Sequence, residues 1–279
     1  MVKTSPHNVA VYRTYEVYTS PGQFLYFDIL NEHMNKMVLK KFTTLWVLGL
    51  IGVAAVMPYA LSLQAEALAE VSIPLPILIL LSLVQSGVLV AIVVFFGIKL
   101  SANTGLQTPL IDAYLSGQSI PIAKHVLKIS VISGLLVATA ILALDMIFIT
   151  LIPALGTLMA GPLWQGLLAS LYGGITEELI LRYFLMSLVA WTLFKFFKTR
   201  SPWVMYVAIL STAILFGILH LPTMAALVDL TPLIIFRTVV LNSIGGVVFG
   251  YLYWKHGLEY AMLSHFTADI FIQTISKVM

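Results

Sequence analysis

An all-α, polytopic membrane bundle is the fold class this sequence predicts, and three observations predict it. Of its 279 residues, 60% are hydrophobic and 10% charged, a balance that a water-soluble domain of this length has no interior to hide. Apolar runs of close to ~20 residues recur along the chain, the length an α-helix needs to cross a bilayer. Lys and Arg collect in alternate connections between those runs, as the positive-inside rule requires. A barrel would alternate apolar and polar residues in runs of about ten, whereas residues 77–96 are almost continuously apolar.

Residues 1–41 mix Lys, Arg, Glu, Asp and Asn and read as a cytoplasmic or interfacial arm. They lack the compact charged-then-apolar pattern and small-residue cleavage site of a signal peptide. A helical membrane domain, 42–279, follows. About seven spans, within a range of six to eight, are predicted at roughly 42–63, 74–98, 127–152, 164–190, 203–222, 233–254 and 258–276. Pro58 is placed to kink the first. Pro74, Pro76, Pro153, Pro202 and Pro232 fall near predicted ends, where a missing N–H costs least. Residues 99–126 form the longest connection and read as a surface connector, the alternative being a substrate-handling loop. The step from Gly246 to Gly250 puts small residues one turn apart, a device for close helix packing.

The charge pattern also fixes an expected topology. Lys3, Arg13, Lys36, Lys40, Lys41, Lys99, Lys124, Lys128, Lys195, Lys198, Arg200 and Lys255 fall on one side, and Glu66, Glu70 and Asp229 on the other. The N-terminus is therefore predicted to be cytoplasmic; Lys277 is the one basic residue that disagrees. The net charge of +3 is explained by these loops and implies no nucleic-acid partner. Cysteine is absent, which excludes disulfides, thiolate metal sites and a Cys nucleophile.

Against this apolar background three polar islands stand out on predicted spans. The first is Glu177-Glu178-x-x-x-Arg182, where Glu178 and Arg182, four apart, share a helical face. Arg182 is placed to neutralise Glu178, and Glu177, about 100° round the helix, is left to face a cavity. The second is Phe216-x-x-x-His220, closing the fifth run. The third is His265-x-x-x-Asp269 on the last, an i, i+4 pair in which the carboxylate fixes the imidazole tautomer or shares a ligand. Ionisable groups at membrane depth are costly and mark function. A Glu deprotonating water, with His groups orienting it or stabilising an oxyanion, is what amide hydrolysis requires.

In order, these motifs resemble the CAAX protease and bacteriocin-processing family of intramembrane proteases, which includes the prenyl-protein endopeptidases, over about residues 164–276. The resemblance implies that Glu177 activates the attacking water, that His220 helps bind it, and that His265 with Asp269 stabilises the oxyanion. Glu178, Arg182 and Phe216 would support the site. The best-understood prenyl-protein endopeptidases carry Asn where Asp269 stands, so Asp269 either orients His265, is protonated, or helps bind a metal. No cofactor is expected from the family. Glu177, His220, His265 and Asp269 nevertheless include the N and O ligands a zinc site would use, which keeps a metalloprotease open.

The reading from sequence is therefore an intramembrane endopeptidase. Its partners would be membrane lipid and a peptide or prenylated protein from which the C-terminal tripeptide is removed. A noncatalytic bacteriocin-immunity or binding protein and a transporter are the alternatives. No His-Glu-x-x-His, Gly-x-Ser-x-Gly or Gly-x-Gly-Asp element supports another protease class. Asp145, Gln85, Arg237 and Asn242 are assigned to polar contacts, Arg237 snorkelling or meeting Asp229. Glu177 and His265 are expected to meet near mid-membrane, while His220 closes its run on the face opposite Lys255. Substrate identity and oligomeric state do not follow from the sequence.

Overall fold

In the computed structural model of the protein, residues 21–157 and 161–275 are described; Lys3, Arg13 and Lys277 lie outside them. The chain divides into two units, Met1–Met37 and Val38–Met279, and the architecture below is that of the second. Every regular element among the described residues is helical: α1 (Pro21–Leu63), α2 (Ala65–Ala69), α3 (Leu75–Thr104), α4 (Pro109–Leu115), α5 (Lys124–Leu151), a 3₁₀ turn (Pro153–Thr157), α6 (Leu163–Leu171), two π-helical stretches (Tyr172–Glu177 and Leu179–Met186), α7 (Ser187–Phe197), α8 (Pro202–Leu219), α9 (Leu221–Ala225), α10 (Pro232–His256) and α11 (Leu258–Ile275).

Six stretches among the described residues are long and apolar enough to cross a membrane: Asn35–Leu63, Leu75–Thr104, Lys124–Leu151, Leu163–Phe197, Pro202–Ala225 and Pro232–His256. The seventh predicted run is α11, which carries Glu259, His265 and Asp269. In α5 only 17% of the most apolar window is buried, and Leu136, like Leu80 on α3, stays largely exposed. Such faces are tolerable only against lipid, because helices that satisfy their own backbone hydrogen bonds can present apolar side chains to hydrocarbon. The protein is an integral membrane protein.

Helix ends follow the local chemistry read from the sequence. Proline opens α3, α8 and α10, where its missing N–H has no intrahelical acceptor to lose. Thr231 caps α10 by accepting from the Ile234 N–H at 3.3 Å. Gly105 ends α3 in the left-handed conformation, φ 79°. Pro58 lies inside α1 and the helix continues through it.

The connection 99–126 contains α4. Glu259 Oε1 on α11 accepts from the Leu110 and Ile111 N–H groups at 3.0 and 2.8 Å, and Lys41 Nζ pairs with Asp112 Oδ1 at 2.7 Å. These contacts hold it against the basic end of the bundle. α8 and α10 are antiparallel and cross closely where side chains are small. A Cβ on Gly246 would stand 2.7 Å from Ala213 Cα, and one on Gly217 2.7 Å from Val239 Cα. Ser243 Oγ donates to Ala213 O at 3.1 Å across the same seam. The core fills the space between these helices, with Tyr183, Met186, Phe249, Tyr253 and Leu258 buried.

Candidate active site

The stretch predicted as one ordinary α-helix is where backbone and expectation part. Tyr172–Glu177 and Leu179–Met186 are π-helical, with widened i→i+5 turns that are rare and concentrate at functional sites. They re-aim the side chains of the 35-residue span Leu163–Phe197 just where the two carboxylates lie. Two glycines let α11 approach this stretch. A Cβ on Gly174 would stand 2.7 Å from Phe266 Cβ. One on Gly173 would collide with Asp269 Oδ2 and lie 3.2 Å from His265 Nε2.

Glu178 and Arg182 form the inner layer. Both are buried, and Arg182 Nη1 stands 2.9 Å from Glu178 Oε1. The N–H is not aligned along that contact, so this is a charge pair rather than a good hydrogen bond, and both Nη groups and Glu178 Oε2 lack hydrogen-bond partners among the described residues. Aromatic faces flank the cation instead: Arg182 Cζ lies 4.7 Å from the Phe216 ring centre and 5.4 Å from that of Phe249. Cation–π attraction strengthens when desolvated, and it holds the guanidinium where water does not reach.

His265 links this layer to the cavity. Its Nδ1 lies 2.8 Å from Glu178 Oε1; a carboxylate there accepts, so Nδ1 carries the proton. Nε2 then faces Glu177 Oε2 at 3.8 Å and Asp269 Oδ2 at 3.6 Å. The predicted His265–Asp269 neighbourhood is present, but the hydrogen bond that sets the imidazole comes from Glu178. A carboxylate 87 residues away had no periodicity to announce it. Phe249 stacks on the His265 ring at 4.5 Å with 18° between planes, and Phe216 meets both His265 and His220 edge-on, at 5.6 and 4.7 Å. Phe249 was not singled out in the sequence, where it reads as one more apolar residue.

His220 closes α8, and its Nδ1 lies 2.8 Å from Phe216 O. A carbonyl oxygen only accepts, so Nδ1–H donates and the neutral ring offers Nε2 as an acceptor. Glu177, His220, His265, Asp269 and Phe216 all line one cavity of about 820 Å³. Glu177 and Asp269 keep 19% and 28% of their side chains exposed while Glu178 keeps 0%, so the outer carboxylates face the cavity. Among the described residues no group of three His, Asp or Glu side chains is arranged to hold a metal ion.

The cavity runs from this cluster to one end of the bundle. Gln64 and Leu68 beyond α1, Asp145 near the end of α5, Arg237 near the start of α10 and Gln273 near the end of α11 also line it. The helix ends carrying Lys99, Lys124, Lys198 and Lys255 are the opposite ones. Arg237 meets Asp145, Nε to Oδ1 at 2.6 Å. That corrects the expectation that it would reach Asp229, because α5 and not the α9–α10 connection packs beside it.

Comparison with known proteins points the same way. Residues 159–271 match the family described as type II CAAX prenyl endopeptidase Rce1-like, and the match takes in every residue of the cluster. Neither the comparison with curated proteins nor that with solved structures gives a match. The π-helical carboxylate pair and the two histidines lie inside the matched segment, and over that segment the chain is similar to the Rce1-like type II CAAX prenyl endopeptidases.

Proposed function

We propose that this protein is a glutamate-dependent intramembrane endopeptidase acting on a membrane-attached protein or peptide near its C-terminus. The observation that carries the reading is Glu177, a cavity-facing carboxylate beside a histidine whose other nitrogen is already held by a buried acid. Glu177 takes one proton from water while His220 Nε2 accepts a hydrogen bond from the O–H that stays on the resulting hydroxide. The hydroxyl oxygen bonds to the scissile carbonyl carbon, and the carbonyl oxygen becomes an oxyanion that His265, as an imidazolium with Nδ1–H held by Glu178, stabilises by donating from Nε2–H. Collapse breaks the C–N bond, and Glu177 passes its proton to the departing amine. Removal of the last three residues of a prenylated protein is what the family resemblance implies.

Three measurements bear on this. Purified, detergent-solubilised protein is incubated with a prenylated C-terminal peptide and the products are weighed by mass spectrometry. The expected result is cleavage that survives a chelator; loss on chelation with recovery on added zinc would replace the glutamate mechanism by a metal one. Absence of cleavage by folded protein would favour the immunity or transport alternatives.

The second concerns the close approach of α11. Gly173→Ala places a methyl group against Asp269 and His265 without harming the helix, where Ala is favoured over Gly by about 0.5–1 kcal/mol. Turnover is expected to fall on the order of 10–100-fold, the scale set by small misplacements of reacting groups, with the unfolding midpoint held or raised. A fall in midpoint matching the loss of activity would refute the positioning argument.

The third concerns sidedness. We place the cavity mouth on the extracytoplasmic face, because it lies at the helix ends away from the Lys- and Arg-rich ends. The chain has no cysteine, so single Cys probes are clean. In intact cells, Gln64→Cys is expected to react with an impermeant maleimide and Lys198→Cys to react only after permeabilisation. The reverse pattern would turn the protein over.

A further inference from the structure

The end of the cavity remote from Glu177 holds polar groups that the hydrolytic cluster does not use. Asp145 on α5 and Arg237 on α10 line it as an ion pair, with side chains only 23% and 15% exposed. Among the described residues Asp145 is the one acidic group paired with Arg237, through Nε, whereas a guanidinium carries five N–H donors in a fork that matches a carboxylate. Thr238 and Asn242, on the same helix, line the same wall. The Thr238 hydroxyl is buried with no hydrogen-bond partner among the described residues. On this wall the Arg237 guanidinium, engaged by Asp145 through Nε, keeps N–H donors for a further acceptor.

Distance along the helices says which acceptor. Gly134 lies against Thr267 and Ala268 at the level of the catalytic cluster, and Asp145 is eleven residues further along α5, about 16 Å at 1.5 Å per residue. Phe249 stacks on His265, and Arg237 is twelve residues before it, about 18 Å. An extended chain advances roughly 3.3–3.6 Å per residue, and contacts of about 3 Å are made at each end. A substrate with its scissile carbonyl at Glu177 therefore brings its own C-terminus to Arg237 when about three to five residues lie beyond the cut.

We infer that Arg237, with Thr238 and Asn242, is a binding subsite for the free C-terminal carboxylate of the substrate, and that Asp145 is the resident counter-ion which the incoming carboxylate joins or displaces. The inference rests on the protease reading and adds to it a rule for where the cut falls. A carboxylate ends the substrate at the cation, and the tail length between the two sites sets the product.

The experiment uses two peptides of one sequence, one ending in a free carboxylate and the other in a carboxamide. Wild type is expected to cleave the acid with kcat/KM at least about tenfold above the amide, the discrimination one lost charged hydrogen bond confers. Arg237→Gln should bring the ratio to within about twofold of one by lowering the acid alone, and Asp145→Asn should raise it severalfold by removing the competitor. An ion pair that merely joins α5 to α10 would make both substitutions lower both substrates together, and that result, or a wild-type ratio near one, overturns the inference. Binding of the same peptides to Glu177→Gln, with and without Arg237→Gln, separates the two readings. Acid-selective binding lost with Arg237 upholds the subsite even if wild type cleaves nothing, whereas cleavage with no acid preference upholds the protease and removes the subsite.

Discussion

Glu177→Gln is expected to lower peptide turnover by about 10²–10⁴-fold, the contribution of a positioned general base, while leaving the protein folded. Gln keeps the shape of the side chain but cannot take a proton from water. Its side chain is partly exposed to the cavity, so no desolvated charge is left without a partner. It also relieves the crowding of like charges, since Glu177 and Asp269 both face His265 Nε2. The substitution should therefore be neutral or mildly stabilising in an unfolding experiment. The check is single-turnover cleavage beside a thermal melt of the same sample. Retained turnover by Glu177→Gln would move the base to Asp269, the other carboxylate at that nitrogen.

Arg182→Met should act in the opposite way, with stability lost before chemistry is reached. It removes the guanidinium paired with Glu178, whose side chain is fully buried, and leaves that carboxylate with His265 as its one remaining polar partner among the described residues. Removing one member of a buried pair typically costs about 3–5 kcal/mol. Phe216 and Phe249 lose the guanidinium they flank, although the methionine stem refills much of the volume. Denaturant unfolding in detergent reads the loss directly. The double substitution Arg182→Met with Glu178→Gln should recover a large part of it, because no isolated charge then remains, yet activity should stay low since His265 Nδ1 loses its carboxylate partner. A double variant no more stable than Arg182→Met would mean that packing, not charge, made the single substitution costly.

Much of this molecule was legible before any fold was drawn. Seven apolar runs became six span-length stretches and α11 because run length against bilayer thickness is a one-dimensional property. Proline at helix starts, the Gly246–Gly250 seam and the Glu178–Arg182 pair were equally local, each fixed by neighbours within one or two turns. What holds the connection 99–126 in place is Glu259 at the start of α4, a contact between residues 148 and 149 positions apart that no local pattern encodes.

What periodicity misjudged were partners chosen in three dimensions. It put His265 beside Asp269, four residues on, where the structure has it, but did not reveal the Glu178 carboxylate at Nδ1; it gave Arg237 to Asp229 or the interface, whereas Asp145 takes it. Nor does it reveal π-helical turns, since a widened turn reads in sequence like an ordinary one, or Phe249, whose role comes from a ring stacked on a histidine of another helix. By itself the sequence determined the membrane class, the spans and the short set of ionisable residues, because hydrophobicity and i, i+4 spacing act within a helix. The tertiary structure decided which of those residues face one cavity, which nitrogen each histidine presents and at which end the cavity lies, because these depend on how helices distant in the chain pack against one another.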